Sequence, residues 1–254
     1  MHDIETVAND PEIKVVAECI GGATLAYEYV KRCLSAGKSV VTSNKELVAE
    51  KGLELTALAR KMGVNFMFEA SVGGGIPILR PISQCLAANE ISAVYGILNG
   101  TTNYILTEMI QRGKSFEQAL REAQEKGFAE ADPTADVEGI DAGRKICILA
   151  DLCFGKNVPP SAITMEGITR ITPADIACAR TLGYKIKLLG RAMRTGPNSV
   201  TAFVAPHLIS QSNPIANVDG VLNGIAVRGT PWARRCSSAP ARAPCPRPAP
   251  WRRT

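Results

Sequence analysis

The sequence is poor in the residues that usually announce a metal centre or a disulfide scaffold. It holds two histidines, His2 and His207, and its eight cysteines include no Cys-x-x-Cys pair. Zinc sites draw on clustered Cys and His, and disulfide frameworks on dense, regularly spaced cysteines. Neither pattern occurs, so reduced, mostly buried thiols in a cytoplasmic protein are expected. No apolar run reaches the roughly 20 residues that span a bilayer. The opening MHDIETVANDPEI lacks the apolar stretch of a signal peptide, so no membrane partner is expected.

A surplus of positive charge is missing too, once its distribution is considered. Of 29 Lys and Arg, six arginines lie in residues 229–254, which contain no acid; residues 1–228 carry 23 basic against 24 acidic side chains. The formal +5 therefore gives the remainder of the chain no basic footprint, and no nucleic-acid partner is expected. Residues 229–254 also hold six prolines and both tryptophans, without periodicity. Such a composition builds no core, and disorder is expected there. Out-of-frame translation of a GC-rich gene yields the same Arg, Pro, Ala and Cys, so a reading frame lost near residues 228–232 is the expected origin.

What is present reads as α/β. Residues 13–20 (IKVVAECI) form a β-branched run ending at Gly21-Gly22, followed by an amphipathic stretch over 23–36 that Gly37 stops. KSVVT at 38–42 predicts a second strand, Asn44 a cap for a helix over 45–62, and NFMFEA at 65–70 a third strand after Gly63. Strand–helix–strand–helix–strand is the repeat of a parallel sheet with right-handed crossovers, and ligands bind such sheets at the carboxyl ends of the strands. Those ends are residues 19–22, 42–45 and 69–75. The Gly-x-Gly-x-x-Gly turn that normally opens a dinucleotide domain is absent, and the chain is read as starting downstream of it. Gly73-Gly74-Gly75 does not replace it, because Pro77 follows at once; it is read as a turn.

From Ile78 the pattern changes. Helices are expected up to 111 after a turn at 99–103, and over 78–88, 115–126, 137–154 and 173–182, and strands over 91–98, 186–193, 200–204 and 220–227. This describes an α+β unit with one mixed sheet covered by helices. The expected division is a partial Rossmann-type parallel-sheet domain over 1–71, a catalytic and dimerisation domain over 72–228, and the tail 229–254.

The segment 123–145, AQEKGFAEADPTADVEGIDAGRK, is the richest in chemistry. Asp141 and Lys145 stand four apart and share one helix face, an acid placed to orient a lysine. Taken alone, the pair is equally an ordinary helix salt bridge worth a few tenths of a kcal/mol.

The spacing Ala123-x3-Gly127-Phe128-Ala129-x2-Asp132-Pro133-x2-Asp136-Val137-x-Gly139-x-Asp141-x3-Lys145 resembles the signature of the homoserine dehydrogenase family. VVTSNKELVAEKG, FEASVGGGIPILRPI and GILNGTTNYILTEM resemble further segments of that family, in the same order. The resemblance, over about residues 10–228, implies interconversion of L-homoserine and L-aspartate 4-semialdehyde with NADP or NAD as hydride carrier, on the route to threonine and methionine. It implies Lys145 as the acid/base, Asp141 as its orienting carboxylate and a substrate contact, and Lys45 beside the nicotinamide and the reacting oxygen. Glu130 would bind the substrate ammonium, with Gly100 and Thr101 in the substrate-side loop. Gly127, Ile20 and Gly21 would approach the cofactor, and the backbone carbonyls of Glu69, Val72, Gly74 and Ile76 would hold a sodium ion. Asp132 and Asp136 read as a turn acid and a helix cap, and a homodimer is expected through residues 70–76 and 205–228. The glycine fingerprint and a later glycine-rich cofactor segment have no counterpart here. A truncated, frame-shifted and inactive fragment is therefore the alternative to a working enzyme. Aspartate-semialdehyde dehydrogenase, a third reading, would need a cysteine nucleophile, and no cysteine has a persuasive context.

Overall fold

A computed structural model describes residues 3–229. The N-terminal part is the expected alternation: β1 (Val15–Glu18), α2 (Thr24–Ser35), β2 (Ser39–Thr42), α3 (Lys45–Met62) and β3 (Phe66–Met67), after a short α1 (Ile4–Asn9). The three strands pair in parallel in the order β1-β2-β3, with Val15 opposite Ser39 and Val40 opposite Phe66. Asn44 caps α3 by accepting from Leu47 N, and Gly63 closes it in the left-handed conformation at φ 69°. Ala26, Val30, Cys33, Leu34, Leu47, Leu55 and Ala59 bury one stripe of each helix against β2, and this apolar burial holds the layers together.

The second part is a five-stranded mixed sheet in the order β5-β7-β6-β4-β8. Its strands are β4 (Ile91–Ile97), β5 (Thr164–Met165), β6 (Tyr184–Arg194), β7 (Val200–Ser210) and β8 (Gly224–Gly229). Only β5 runs parallel to its neighbour. Helices α4 (Gly100–Arg112), α5 (Phe116–Glu125), α6 (Thr134–Val137), α7 (Ile140–Phe154) and α8 (Pro173–Thr181) complete this part. Ile186, Leu188 and Ala192 of β6 face the main core with Ile146, Leu149 and Ala150 of α7. Leu189 joins a smaller cluster with Ile97, Ile209, Ile215 and Ala216. Between these apolar positions lies Lys187, fully buried, its Nζ donating to Asn103 Oδ1 (2.9 Å), Val218 O (2.7 Å) and Asp219 Oδ1 (2.8 Å). Burial lowers the Lys187 pKa, against the opposing pull of Asp219.

Several expectations are corrected. The helix expected over 78–88 is shorter, residues 79–85, and most of it is a π-turn, Pro81–Cys85, closed by Leu86 N donating to Pro81 O. Pro81 brings no N–H to a longer α-helical ladder. The helix expected over 137–154 begins at Ile140, with Gly139 at φ 82° as its N-cap, while Val137 ends the separate short α6. β7 runs beyond the expected end at 204, through Pro206 to Ser210. This is tolerated because β5 covers only Phe203 and Val204, leaving the outer edge of β7 unpaired past them. β8 begins at Gly224 instead of 220 and extends to Gly229 opposite Ile91, so that residue belongs to the sheet and not to the tail. The rest of the expected tail lies outside the described residues. Burial among the described residues also differs from expectation: Cys19, Cys85 and Cys178 are exposed, while Cys33, Cys147 and Cys153 are buried or half-buried. Burial pushes the Cys147 and Cys153 thiols up to about 12. No helix among the described residues is long and apolar enough to cross a membrane.

Candidate active site

The strand ends of the parallel sheet are tied together by one buried carboxylate. Glu18 Oε1 accepts from Ile20 N (2.7 Å), and its Oε2 accepts from the Thr42 hydroxyl (2.5 Å). Thr42 Oγ1 in turn accepts from Asn44 N, and Asn44 Nδ2 donates to Gly22 O at 2.7 Å. This chain of bonds fixes the 19–22 loop against the start of α3, so the position of Lys45, the first residue of α3, is set by β1 and β2.

From the other side come α7 and the loop before α4. Asn99 caps α4 with its Oδ1, which accepts from Thr102 N (2.8 Å), and its Nδ2 donates to Asp136 Oδ1 (2.6 Å) and Asp141 Oδ2 (2.9 Å). Asp141 Oδ2 also accepts from Lys145 Nζ at 2.7 Å, and that ammonium donates to Leu98 O at 2.8 Å. Lys45 Nζ stands 2.5 Å from Asp141 Oδ1, an ion-pair contact whose angle falls short of a well-aligned hydrogen bond. One carboxylate is thus shared by two lysines from different parts of the fold. Burial pushes the Asp141 carboxyl up, but the Lys145 charge, the Asn99 and Lys145 hydrogen bonds and the Lys45 contact outweigh it and hold the pKa below the ordinary value. Beside this cluster, Arg144 pairs with Glu46 at 3.2 Å.

A cavity of about 460 Å³ opens here, lined by Cys19, Ile20, Gly21 and Gly22, by Ser43, Asn44, Lys45 and Glu46, and by Ala70, Ser71, Gly74, Arg144, Lys145 and Asn223. Lys45, Lys145, Ile20, Gly21 and Gly74, all expected site residues, therefore share one cavity, with Asp141 joined to both lysines. The other expected residues lie elsewhere. Glu130 is exposed on the loop between α5 and α6 and does not line the cavity. That loop is pinned to α4, because the Thr101 hydroxyl donates to Phe128 O (2.7 Å) and the Phe128 ring meets Tyr104 edge-on. Thr101 is thereby engaged by protein. The close approach at Gly100 is also internal: a Cβ there would lie 2.7 Å from Val221 O. Gly127, at φ 72°, is exposed just past the C-cap of α5, its N–H donating to Gln124 O. Glu69 begins a short 3-10 turn, and its carboxylate accepts from Leu79 N and Arg80 N. Between Val72 and Ile76 the chain turns through Gly73 and Gly74, both left-handed, closed by Ile76 N donating to Gly73 O. Asp132 is the expected turn acid, accepting from Thr134 N and Oγ1, whereas Asp136, expected to cap a helix, receives the Asn99 amide instead.

Sequence reasoning missed Asn99, Arg144, Glu46 and Asn223. Asn99 alone had a legible signal, an amide at a helix cap whose second polar end needs an acceptor of its own.

The cavity suits a dinucleotide: it sits at the carboxyl ends of parallel strands, nothing lies within 4 Å of where a Cβ on Gly21 or Gly22 would stand, and the buried Asn223 Oδ1 accepts no hydrogen bond among the described residues. Fold and cavity together define a Rossmann-type nucleotide-binding domain joined to a mixed-sheet domain. The sequence model of the homoserine dehydrogenase NAD binding domain matches residues 1–69, and that of homoserine dehydrogenase itself matches residues 77–239. The chain belongs to the homoserine dehydrogenase family.

Among curated relatives, the homoserine dehydrogenase of Pseudomonas aeruginosa is 50% identical over 227 residues, covering 89% of this chain and 52% of that protein. The Neisseria gonorrhoeae enzyme is 48% identical over 216 residues, covering 85% and 49%. The crystal structure of the Thiobacillus denitrificans homoserine dehydrogenase superposes with a TM-score of 0.85 at 46% identity, over 90% of this chain and 53% of that one. A hyperthermophilic archaeal homoserine dehydrogenase in complex with NADPH superposes with a TM-score of 0.76 at 28% identity, over 90% and 66%. The chain spans about half the length of the curated relatives it matches.

Proposed function

We propose that the chain interconverts L-homoserine and L-aspartate 4-semialdehyde with NADP or NAD. The observation that carries this reading is the Asp141 carboxylate held between Lys45 and Lys145, both of which line the cavity at the strand ends. A bound nicotinamide would supply or take the hydride at the substrate carbon. The substrate oxygen then needs a proton in one direction and must lose it in the other. Lys145 is the group for this step: it lines the cavity, and its Nζ is oriented by Asp141 Oδ2 and Leu98 O. Lys45 places a second positive charge in the cavity, where negative charge develops on the oxygen. Asp141 keeps the two ammonium groups apart, and Asn99 holds Asp141 in position.

Ile20 and Gly21 are assigned to the cofactor by their place at the end of β1. Gly127 and Glu130, assigned by resemblance to cofactor and substrate ammonium, sit on a loop anchored by Thr101. Gly100 is assigned to the same substrate-side loop. The carbonyls of Glu69, Val72, Gly74 and Ile76 are assigned by resemblance to sodium, a hard cation that takes oxygen ligands. A domain division near residues 71–72 fits the ends of the two family matches, at 69 and 77. Exposed Leu208, Val221 and Leu222 support a homodimer through the late strands. The cytoplasm is the compartment proposed.

Titration with NADPH, followed by its fluorescence, tests the reading: saturable binding below millimolar concentration is expected, and none at millimolar would refute it. Lys145→Ala should lower turnover about a hundredfold or more while cofactor affinity stays within about twofold. An unchanged rate would remove Lys145 from the mechanism.

A further inference from the structure

Asn223 stands at the edge of the cavity, immediately before β8, and nothing in its sequence context marks it. Its Oδ1 is buried and accepts no hydrogen bond among the described residues, and its Nδ2 lies 3.8 Å from where a Cβ on Gly74 would be. A buried carbonyl oxygen without a donor is unusual, since burial removes the water that would otherwise satisfy it. In a cavity wall, such an atom points to a donor that arrives with a ligand.

The residue is also held in place. The segment leading to it is fastened to the N-terminal turn of α4: Asn103 Nδ2 donates to Val218 O and to Leu222 O, both at 3.0 Å, and Asn103 Oδ1 receives buried Lys187. Val221 O packs directly on Gly100. Asn223 follows Leu222, so its backbone is held by these bonds to α4. A side chain that is rigidly carried and lacks a partner fits a recognition role better than a packing one.

The chemistry of the missing donor can be narrowed. A side-chain amide has an acceptor and a donor side by side, and a primary carboxamide is one group that satisfies both. The cavity also contains Lys45 and Lys145, the groups able to serve hydride and proton transfer, so the pyridine ring of a dinucleotide belongs at this end. That ring carries a carboxamide. We propose that Asn223 positions the carboxamide of the bound pyridine nucleotide, its Oδ1 accepting the carboxamide N–H. The proposal rests on the dinucleotide reading above and makes Asn223 a positioning residue that sets the orientation of the ring.

The test uses the full chain and two probes, NADP⁺ and its acetylpyridine analogue, in which a methyl group replaces the carboxamide nitrogen. One lost hydrogen bond that leaves a buried acceptor unmet corresponds to roughly tenfold in affinity, so the wild type should prefer NADP⁺ by about that factor. Asn223→Ala should bind both probes nearly equally, and Asn223→Asp, which keeps an acceptor, should retain a preference. A merely structural role would weaken both probes alike and leave their ratio unchanged. The proposal is overturned if Asn223→Ala keeps the wild-type ratio. If that variant does not fold, the wild type decides: indifference to the methyl replacement overturns the proposal equally. Failure of the wild type to bind either probe would instead overturn the dinucleotide reading, an outcome distinct from a ratio of one between two measurable affinities.

Discussion

Asp141→Asn is the substitution most informative about the cluster. It keeps the shape of the side chain and removes its charge, leaving the Lys45 and Lys145 ammonium groups facing each other across a neutral amide. The two halves of the ion triplet are not equal. Lys145 is 15% exposed and adds a hydrogen bond to Leu98 O, whereas Lys45 is 41% exposed. Breaking a buried pair from one side typically costs about 3–5 kcal/mol, and a solvent-exposed pair is worth about 1 kcal/mol or less. We therefore expect Asp141→Asn to destabilise the fold by about 3 kcal/mol at pH 7. In double-mutant cycles, the coupling to Lys145→Met should be about 2 kcal/mol, and that to Lys45→Met below about 1 kcal/mol. Urea unfolding at several pH values reads both quantities.

The pH dependence has a definite sign. The folded-state carboxyl lies below its ordinary value, so its contribution is complete above about pH 4, where the unfolded chain is already ionised. It is lost as the pH falls through the folded-state pKa. The gap between wild type and Asp141→Asn should thus be widest at neutral pH and close in acid. A gap that persists unchanged in acid, or a Lys45 coupling larger than that of Lys145, would refute the electrostatic account.

Three further substitutions probe other parts of the fold. Burial holds the Asp151 carboxyl up at about 7, although its Oδ1 accepts from Val158 N. The native chain therefore keeps a proton that the unfolded chain has released, and stability drawn from this group falls as the pH rises from about 4 to 7. Asp151→Asn, which keeps the acceptor, should stabilise the protein by about 2–4 kcal/mol at pH 8 and little at pH 4; thermal or urea unfolding at the two pH values checks this, and equal effects would refute it. Gly100→Ala would drive a Cβ to 2.7 Å from Val221 O, a backbone atom, whereas Gly143→Ala meets only the flexible end of Met165. The first should destabilise by about 1–3 kcal/mol and the second distinctly less, the difference being read as a shift in the urea midpoint.

Much of this architecture is legible in the sequence because its punctuation is local. Asn44 and Gly63 bound α3 at the residues expected of them, and the alternation of strand and helix over residues 13–67 identifies the parallel sheet. The departures occur where tertiary contacts decide. The strand expected to end at 204 runs on through Pro206, which the exposed edge of β7 accommodates, and Gly139 sets the start of α7 three residues past the expected one. The same division applies to the site. The i, i+4 spacing of Asp141 and Lys145 is a property of one helix and could be read directly. The meeting of Lys45 with Asp141 depends on how α3 docks on α7, and the place of Asn223 depends on a sheet register some 120 residues from Asn99. The internal use of Thr101 and Gly100 was hidden for a related reason: their partners, Phe128 and Val221, are chosen by packing.

The docking of α3 on α7 follows a charge code. At the contact, α3 presents a cation and then an anion, Lys45 and Glu46, while α7 presents an anion and then a cation, Asp141 and Arg144. The two pairs have opposite polarity and lie side by side, so the helices mesh like a key and its ward. A rotation of α3 that brought Glu46 toward Asp141 would set like charges together, which disfavours the neighbouring alignments as strongly as the correct one is favoured. The outer pair, Arg144 with Glu46, is about a third exposed, whereas Asp141 is buried. Lys45 is itself 41% exposed, so added salt should weaken both teeth of the seam. In this way the two lysines are kept at a fixed spacing by the pattern of charge along the seam, beyond what apolar packing alone would specify.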